Sequence, residues 1–191
     1  MVQLKTTTEK IPAREECISL MQKEGMLDNI VRHSFMVEKV AVFLANSLIQ
    51  SGEKLNRKAI GAAALLHDIT KTRSLHTHED HALTGKSLLT NLGYPLIGKI
   101  IGCHVEIPSL TIKKSSVSNE EVINYADKRV LHDTIVTLTK RFDDIHLRYG
   151  INLTNSARLK RIENKSFCIE KKIFSKINLT PSTLNATLCD I

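Results

Sequence analysis

A run of eight small or apolar residues, residues 59–66, ends directly at His67 and Asp68, and Lys71 follows within one helical turn. Alanine, isoleucine and leucine in such a run predict a helix that packs deep in a hydrophobic core. An imidazole, a carboxylate and an ammonium group at the exit of that helix are costly to bury without compensating charge. The run therefore predicts a polar centre at the end of a core helix, and a divalent cation is the compensating charge that we expect there.

The composition predicts an all-α fold. The 191 residues are enough for one domain with a hydrophobic core, and Trp is absent while Gly and Pro are few. No apolar stretch approaches the roughly 18 to 20 residues that a membrane-spanning helix requires. The polar N-terminus lacks the apolar core of a signal peptide. We therefore expect a cytoplasmic helical bundle without a membrane partner.

Hydrophobic periodicity and capping residues predict the helices in the first two thirds of the chain. Asp28 and Asn56 are the expected N-caps of the second and third helices. Residues 69–80 are predicted to be a polar loop and residues 107–118 a polar linker. The predicted helices cover residues 13–25, 28–51, 57–67, 79–91 and 96–104, with a strand as the alternative for residues 96–104.

Ser118 and Glu121 form a capping-box pattern, which predicts the start of a long helix that ends near Gly150. One or two further helices are expected, at about 153–175 and 181–189. No run of strand alternation is evident. We divide the chain into a metal-binding helical domain, residues 1–150, and a basic helical extension, residues 151–191, that packs on it.

Further histidine and aspartate residues surround the His67-Asp68 doublet in the chain: His33 before it, then His81, His104 and Asp127 after it. In this order they resemble the HD-domain superfamily of metal-dependent phosphohydrolases, over about residues 28–149. The pattern of that superfamily is a lone His, a His-Asp doublet often written HDxGK, and a late Asp, with two more His in many members. Thr70 departs from it, because many members have Gly there.

The resemblance implies an all-α, single-domain helical bundle of the HD-domain type that holds one or two divalent ions of Mn, Fe, Ni, Zn, Co or Mg. It makes Asp68 a catalytic residue that bridges the ions when two are present, and it makes Lys71 a phosphate-contacting residue. The implied reaction is cleavage of a phosphoester, of a nucleotide or another small phosphorylated substrate, by metal-activated water. The implied metal ligands are His33, His67, Asp68, His81, His104 and Asp127.

Other interpretations of the same residues stay open. A lone His on a half-apolar helix, such as His33, is more often a core residue than a ligand. His67 and Asp68 could form an ordinary helix C-terminus, although only the imidazolium suits the helix dipole there. Single-metal members of the superfamily lack one or both of the histidines that correspond to His81 and His104. The alternative function is a metal- or nucleotide-binding regulatory domain with little turnover.

Arg32, His76 and His78 lie near the expected ligands in the sequence and are further candidates for substrate binding, together with Lys71. Arg32 is the weaker case, because neighbouring positions on a helix point about 100° apart. His76 and His78 fall in the predicted polar loop near the mouth of the expected pocket. We expect His132 and His146 to be surface or packing residues.

The formal net charge of +7 suits a phosphorylated substrate. Much of the surplus follows Gly150, and we expect it to be spread over solvated helix faces, so nucleic acid is not the expected partner. A homodimer is among the assemblies that the sequence permits. The basic residues in question are Arg158, Lys160, Arg161, Lys165, Lys171, Lys172 and Lys176.

Overall fold

Helices form almost all of the regular structure, which confirms the all-α fold class. The computed structural model describes residues 9–150 and 153–189, so the polar N-terminal residues 1–8 lie outside it. The helices are α1 (Arg14–Lys23), α2 (Asp28–Gln50), α3 (Arg57–Leu66), α4 (Lys71–Thr77), α5 (His81–Asn91), α6 (Pro95–Ile101), α7 (Ser109–Ile112), α8 (Asn119–Lys128), α9 (Leu138–Tyr149), α10 (Leu153–Phe174) and α11 (Leu184–Cys189). The strands β1 (Val130–Leu131) and β2 (Thr134–Ile135) form a short hairpin between α8 and α9.

Helices α2 and α3 occupy the centre of the bundle. The small-residue helix α3 packs against α1, α2, α6 and α8, and its alanines and leucines are buried. Asn56 caps it as predicted, because its side chain accepts a hydrogen bond from the Ala59 amide. Asp28 lies in the first turn of α2 instead of at its N-cap. The end of α3, where the polar doublet begins, is thus held in the core from several sides.

Residues 69–80 are not the continuous loop that the sequence predicts. Residues 71–77 form α4, which buries none of its side chains and leaves Leu75 exposed. A helix without a buried face has no apolar periodicity, so hydrophobic periodicity does not indicate this helix. The helix ends at Thr77, and its C-cap residue His78 has a φ of 58°, in the left-handed region. Likewise, the short α7 interrupts the predicted linker of residues 107–118.

The long helix predicted from Ser118 to Gly150 is wrong, because the chain leaves the helical path after Lys128. The capping box of α8 is present as predicted. Val130 then pairs with Ile135 in the hairpin, which turns at His132 with a φ of 57°. The apolar spacing across this region fits one helix face as well as a hairpin, whereas the β-branched residues of the hairpin favour strands.

The long helix α10 packs against α7, α8 and α9. Its isoleucines, such as Ile169 and Ile173, are buried. Several of its basic side chains pair with carboxylates elsewhere in the bundle: Lys172 with Glu121, and both Arg158 and Lys165 with Glu106. The division at residue 150 remains a prediction. Within the described residues, no helix has the length and apolar character needed to cross a membrane.

Candidate metal centre

The six histidine and aspartate residues implied by the sequence meet at one point in the bundle. The doublet lies where α3 ends, and the other four side chains come from different helices or from the turn after α6. Five of the six residues are buried, and His81 is half-buried. The six are His33 on α2, His67 and Asp68 after α3, His81 at the start of α5, His104 after α6, and Asp127 on α8.

One group of ligand atoms lies around His67. His33, His67 and Asp68 each offer one atom, and these atoms all lie within 4.8 Å of one another. Asp127 Oδ1 faces the same point, at 3.1 Å from His33 Nε2 and 3.7 Å from His67 Nε2. The chain therefore brings two imidazoles and two carboxylates to one place from three separate parts of the sequence.

A second group shares Asp68 with the first. Asp68 Oδ1 lies 3.2 Å from His81 Nε2 and 3.4 Å from His104 Nε2. The two imidazole Nε2 atoms are themselves 3.1 Å apart. Asp68 Oδ2, by contrast, lies 3.5 Å from His67 Nε2. Each oxygen of this carboxylate thus faces one group, which is the arrangement that a carboxylate bridging two ions requires.

Backbone carbonyls orient three of the imidazoles. A carbonyl oxygen can only accept a hydrogen bond, so the Nδ1 atom that contacts it must carry the proton. The Nε2 lone pair of the neutral ring then faces the centre, as in metal-binding histidines. The contacts are His33 Nδ1 to His132 O (2.8 Å), His67 Nδ1 to Ala64 O (2.7 Å) and His104 Nδ1 to Ile101 O (2.7 Å).

The atoms at the centre fit a divalent ion. Among the described residues, His67 Nε2 and Asp68 Oδ1 are buried and make no hydrogen bond of acceptable geometry, although other ligand atoms lie nearby. An unsatisfied buried polar atom costs about 1–3 kcal/mol, and an ion held by both atoms would remove that cost. The nitrogen and oxygen donors suit several divalent metals, and no thiolate joins either group to favour zinc.

Charges at the centre keep the two aspartates ionised. Burial raises the pKa of Asp68, but the charges of Lys71 and His67 bring it well below its usual value. Burial likewise raises the pKa of Asp127, but the Lys128 charge, the hydrogen bond with His33 and the His67 charge together bring it well below its usual value. Both carboxylates are therefore anionic and able to bind a cation.

The histidines differ in protonation. Burial lowers the pKa of His104 to about 4, so its imidazole is neutral. Burial also lowers the pKa of His67, but the negative charges of Asp68 and Asp127 raise it by more, and the net direction is upward. A cation that binds at His67 thus competes with a proton for the Nε2 atom.

Each of the two aspartates also pairs with a lysine. Lys71 Nζ lies 2.8 Å from Asp68 Oδ2, and Lys128 Nζ lies 2.9 Å from Asp127 Oδ2. Lys128 also donates to the His104 carbonyl. Sequence reasoning identified Lys71 but missed Lys128, whose one signal was its position next to Asp127. We also missed the role of His132, whose carbonyl accepts the hydrogen bond from His33 Nδ1. We expected His132 to be a surface or packing residue.

A cavity of about 670 Å³ opens over this centre. This volume is within the usual range for small-molecule sites. Lys71 and His78 line it, whereas Arg32 and His76 are not among the described residues of its wall. Arg32 instead pairs with Asp133 at 3.3 Å on the surface. Substrate contacts of Arg32 and His76 stay predictions. His146, which we expected at the surface or in packing, pairs with Glu163.

Comparison with known proteins places the chain in a family. The family model "HD domain" matches residues 30–145, which is more than half of the chain. A tRNA (cytidine(56)-2'-O)-methyltransferase from Picrophilus torridus is 28% identical over 173 residues, which cover 83% of this chain and 48% of that protein. The chain thus spans about half the length of this curated relative. No solved structure matches significantly. The match to the HD-domain model spans all six residues of the candidate metal centre, and the chain belongs to the HD-domain family.

Proposed function

We propose that the protein is a metal-dependent phosphohydrolase that cleaves a phosphoester of a nucleotide or another small phosphorylated substrate. The observation that carries this proposal is the pair of ligand groups that share the buried Asp68. Such a paired arrangement suits hydrolysis of a phosphoester, in which charge on both the attacking and the leaving oxygen must be stabilised. The positive charge of Lys71 beside the centre suits a phosphate group in the same cavity.

The chain's own residues would hold and orient the reactants. When bound, a divalent ion lowers the pKa of a coordinated water and polarises a phosphoryl oxygen. Asp68 is the proposed catalytic residue, because its two oxygens face both ligand groups. Lys71 would contact a phosphate oxygen from the cavity wall. In the reaction, the water oxygen bonds to phosphorus while the ester P–O bond breaks, and the released alcohol takes up a proton.

The first test is the variant Asp68→Ala, assayed with a panel of phosphoesters in the presence of Mn²⁺, Ni²⁺, Mg²⁺ or Co²⁺. We expect metal content and hydrolysis to be lost together, because both ligand groups lose their shared carboxylate. Asp143→Ala is the control, because Asp143 is exposed on α9 and lies outside the cavity wall. Activity of Asp68→Ala equal to that of wild type, after metal stripping and reloading, would overturn the proposed mechanism.

The same assay separates an enzyme from a regulatory domain. Wild-type protein that retains metal but hydrolyses none of the phosphoesters with any of the ions would favour the metal- or nucleotide-binding regulatory role. Nanomolar to micromolar binding of a nucleotide without turnover would be its positive evidence. Hydrolysis that depends on Asp68 would exclude it.

The name of the methyltransferase relative gives a reason to test tRNA as a second candidate partner. The net charge of +7 suits an RNA backbone. However, several basic residues of α10, such as Arg158 and Lys165, are engaged with carboxylates of the bundle. Filter binding of tRNA at 50 and 200 mM salt tests this candidate. Binding that weakens steeply with salt would support it, and the absence of binding at 50 mM salt would refute it.

A further inference from the structure

Positive side chains outnumber negative ones in the wall of the cavity. Two carboxylates, Asp68 and Asp127, belong to the candidate metal centre, whereas five cationic side chains line the same space. A divalent ion would add further positive charge. Asp144 and Glu106, which lie outside the wall, pair with three of these cations. A ligand with one phosphate would still leave part of the positive charge uncompensated, so the cavity suits a ligand with several negative charges. The five cations are Lys71, Lys128, Arg141, Arg148 and Arg158.

Arg141, on α9, differs from the two lysines because it is not engaged with the metal centre. Its Nη1 lies 3.2 Å from Asp144 Oδ2, and its side chain is 15% exposed. Among the described residues, its buried Nε atom has no hydrogen-bond partner. An arginine has five N–H donors in a planar fork, so Arg141 retains donors for an anion in the cavity.

The Arg141 charge also acts on both lysines at the centre. Lys71, Lys128 and Arg141 line the same cavity, and the charge of Arg141 repels the charge of each lysine. Three mutually repelling cations thus face one region next to the ligand groups, and an anion placed there would relieve their repulsion.

Arg148 extends this positive surface by two turns of α9. Asp144 holds both arginines, because its Oδ1 lies 2.7 Å from Arg148 Nη2 while its Oδ2 contacts Arg141. One carboxylate between two guanidinium groups leaves a net positive charge and fixes their positions. Arg148 is 43% exposed at its side chain, so it lies toward the solvent side of the cavity.

We propose that Arg141, with Arg148 beside it, forms an anion subsite next to the metal centre, and that the substrate is an organic diphosphate or polyphosphate. One phosphate would lie at the metal centre, where its ester bond is cleaved, and the next phosphate would bind the free donors of Arg141. This inference rests on the proposed function and deepens it. Neither arginine was a candidate from the sequence, because their spacing carries no motif.

The test compares two non-hydrolysable probes by calorimetric titration of the full-length protein, with and without Mn²⁺. Methylenediphosphonate carries two phosphonate groups, and methylphosphonate carries one. We expect wild type to bind the diphosphonate at least about tenfold more tightly, from the strength of charge-assisted hydrogen bonds. Arg141→Met should reduce this preference to less than about twofold while metal content stays unchanged. Arg141→Lys, which keeps the charge but loses the fork, should retain part of it.

Lys140→Met is the matched control, because Lys140 is an exposed cation on the same helix outside the cavity wall. It should keep the full preference. If Arg141→Met does not fold, Arg148→Met replaces it, and we expect it to lower the preference about threefold. An unchanged preference in a folded Arg141→Met variant, or no preference in wild type, would overturn the subsite.

Failure of the subsite and failure of the proposed function have different signatures. A wild-type protein that binds no metal contradicts the proposed function. The Arg141-dependent preference for the diphosphonate is still measurable in that protein, since the arginine donors do not belong to the metal centre. Metal-dependent hydrolysis that Arg141→Met leaves intact, on mono- and diphosphate esters alike, would contradict the subsite alone.

Discussion

At the scale of single residues, the candidate site depends on buried charges that neutralise one another. Asp127 lies between His33 and Lys128, and Asp68 lies between three imidazoles and Lys71. The sequence could predict these candidate ligands because their order along the chain resembles a known pattern. It could not predict Lys128, because adjacency in sequence does not show which way a side chain points.

A residue-scale prediction concerns Lys128→Met in metal-stripped protein. Lys128 is buried, and its loss leaves Asp127 without its nearest cation. Removing one partner of a buried ion pair costs about 3–5 kcal/mol, so we expect the free energy of unfolding to fall by about that amount. Urea denaturation followed by circular dichroism measures it, with Lys140→Met as the exposed control. A change of less than about 0.5 kcal/mol, the usual range of surface substitutions, would show that the pair contributes little.

At the scale of elements, the sequence predicts helices with an apolar face and misses those without one. The helix α3 was predictable because each turn presents small or apolar residues to the core. The helix α4 was not, since it buries none of its side chains. The hairpin at Val130–Ile135 was missed for a different reason. The apolar spacing of this segment fits a helix. The hairpin depends instead on hydrogen-bonded pairing between its two strands, which hydrophobic periodicity does not reveal.

An element-scale prediction concerns the contact between α5 and α6, which positions the turn that carries His104. A Cβ atom at Gly98 would lie 2.7 Å from the Lys86 carbonyl oxygen and 2.9 Å from Thr90 Oγ1. Because the first of these is backbone, the helices must separate, and we expect Gly98→Ala to destabilise the protein by about 1–3 kcal/mol.

Gly61→Ala on α3 is the matched control for Gly98→Ala. The nearest atom to its Cβ would be Val42 Cγ2 at 3.6 Å, an ordinary van der Waals contact. Alanine is the better helix former, so this variant should be neutral or stabilised by up to about 1 kcal/mol. Thermal denaturation of both variants tests the difference. Equal stability of the two would contradict a close contact at Gly98.

At the scale of the whole molecule, the fold brings distant parts of the chain to one cavity. The helices α2, α4, α8, α9 and α10 each supply residues to its wall. The order of the candidate ligands in the sequence predicts the candidate metal centre, whereas the composition of the cavity wall depends on how α9 and α10 pack. Those helices carry Arg141 and Arg158 among many other charges, and both helices pack against α8.

The measurement that tests the central claim most directly is anomalous diffraction from crystals of the protein reloaded with Mn²⁺, together with elemental analysis of the same sample. We predict one or two ions bound to Asp68, with His33, His67 and Asp127 as ligands of the first and His81 and His104 as ligands of the second. A reloaded protein with less than one ion per chain, or with its ions bound away from Asp68, would contradict this account.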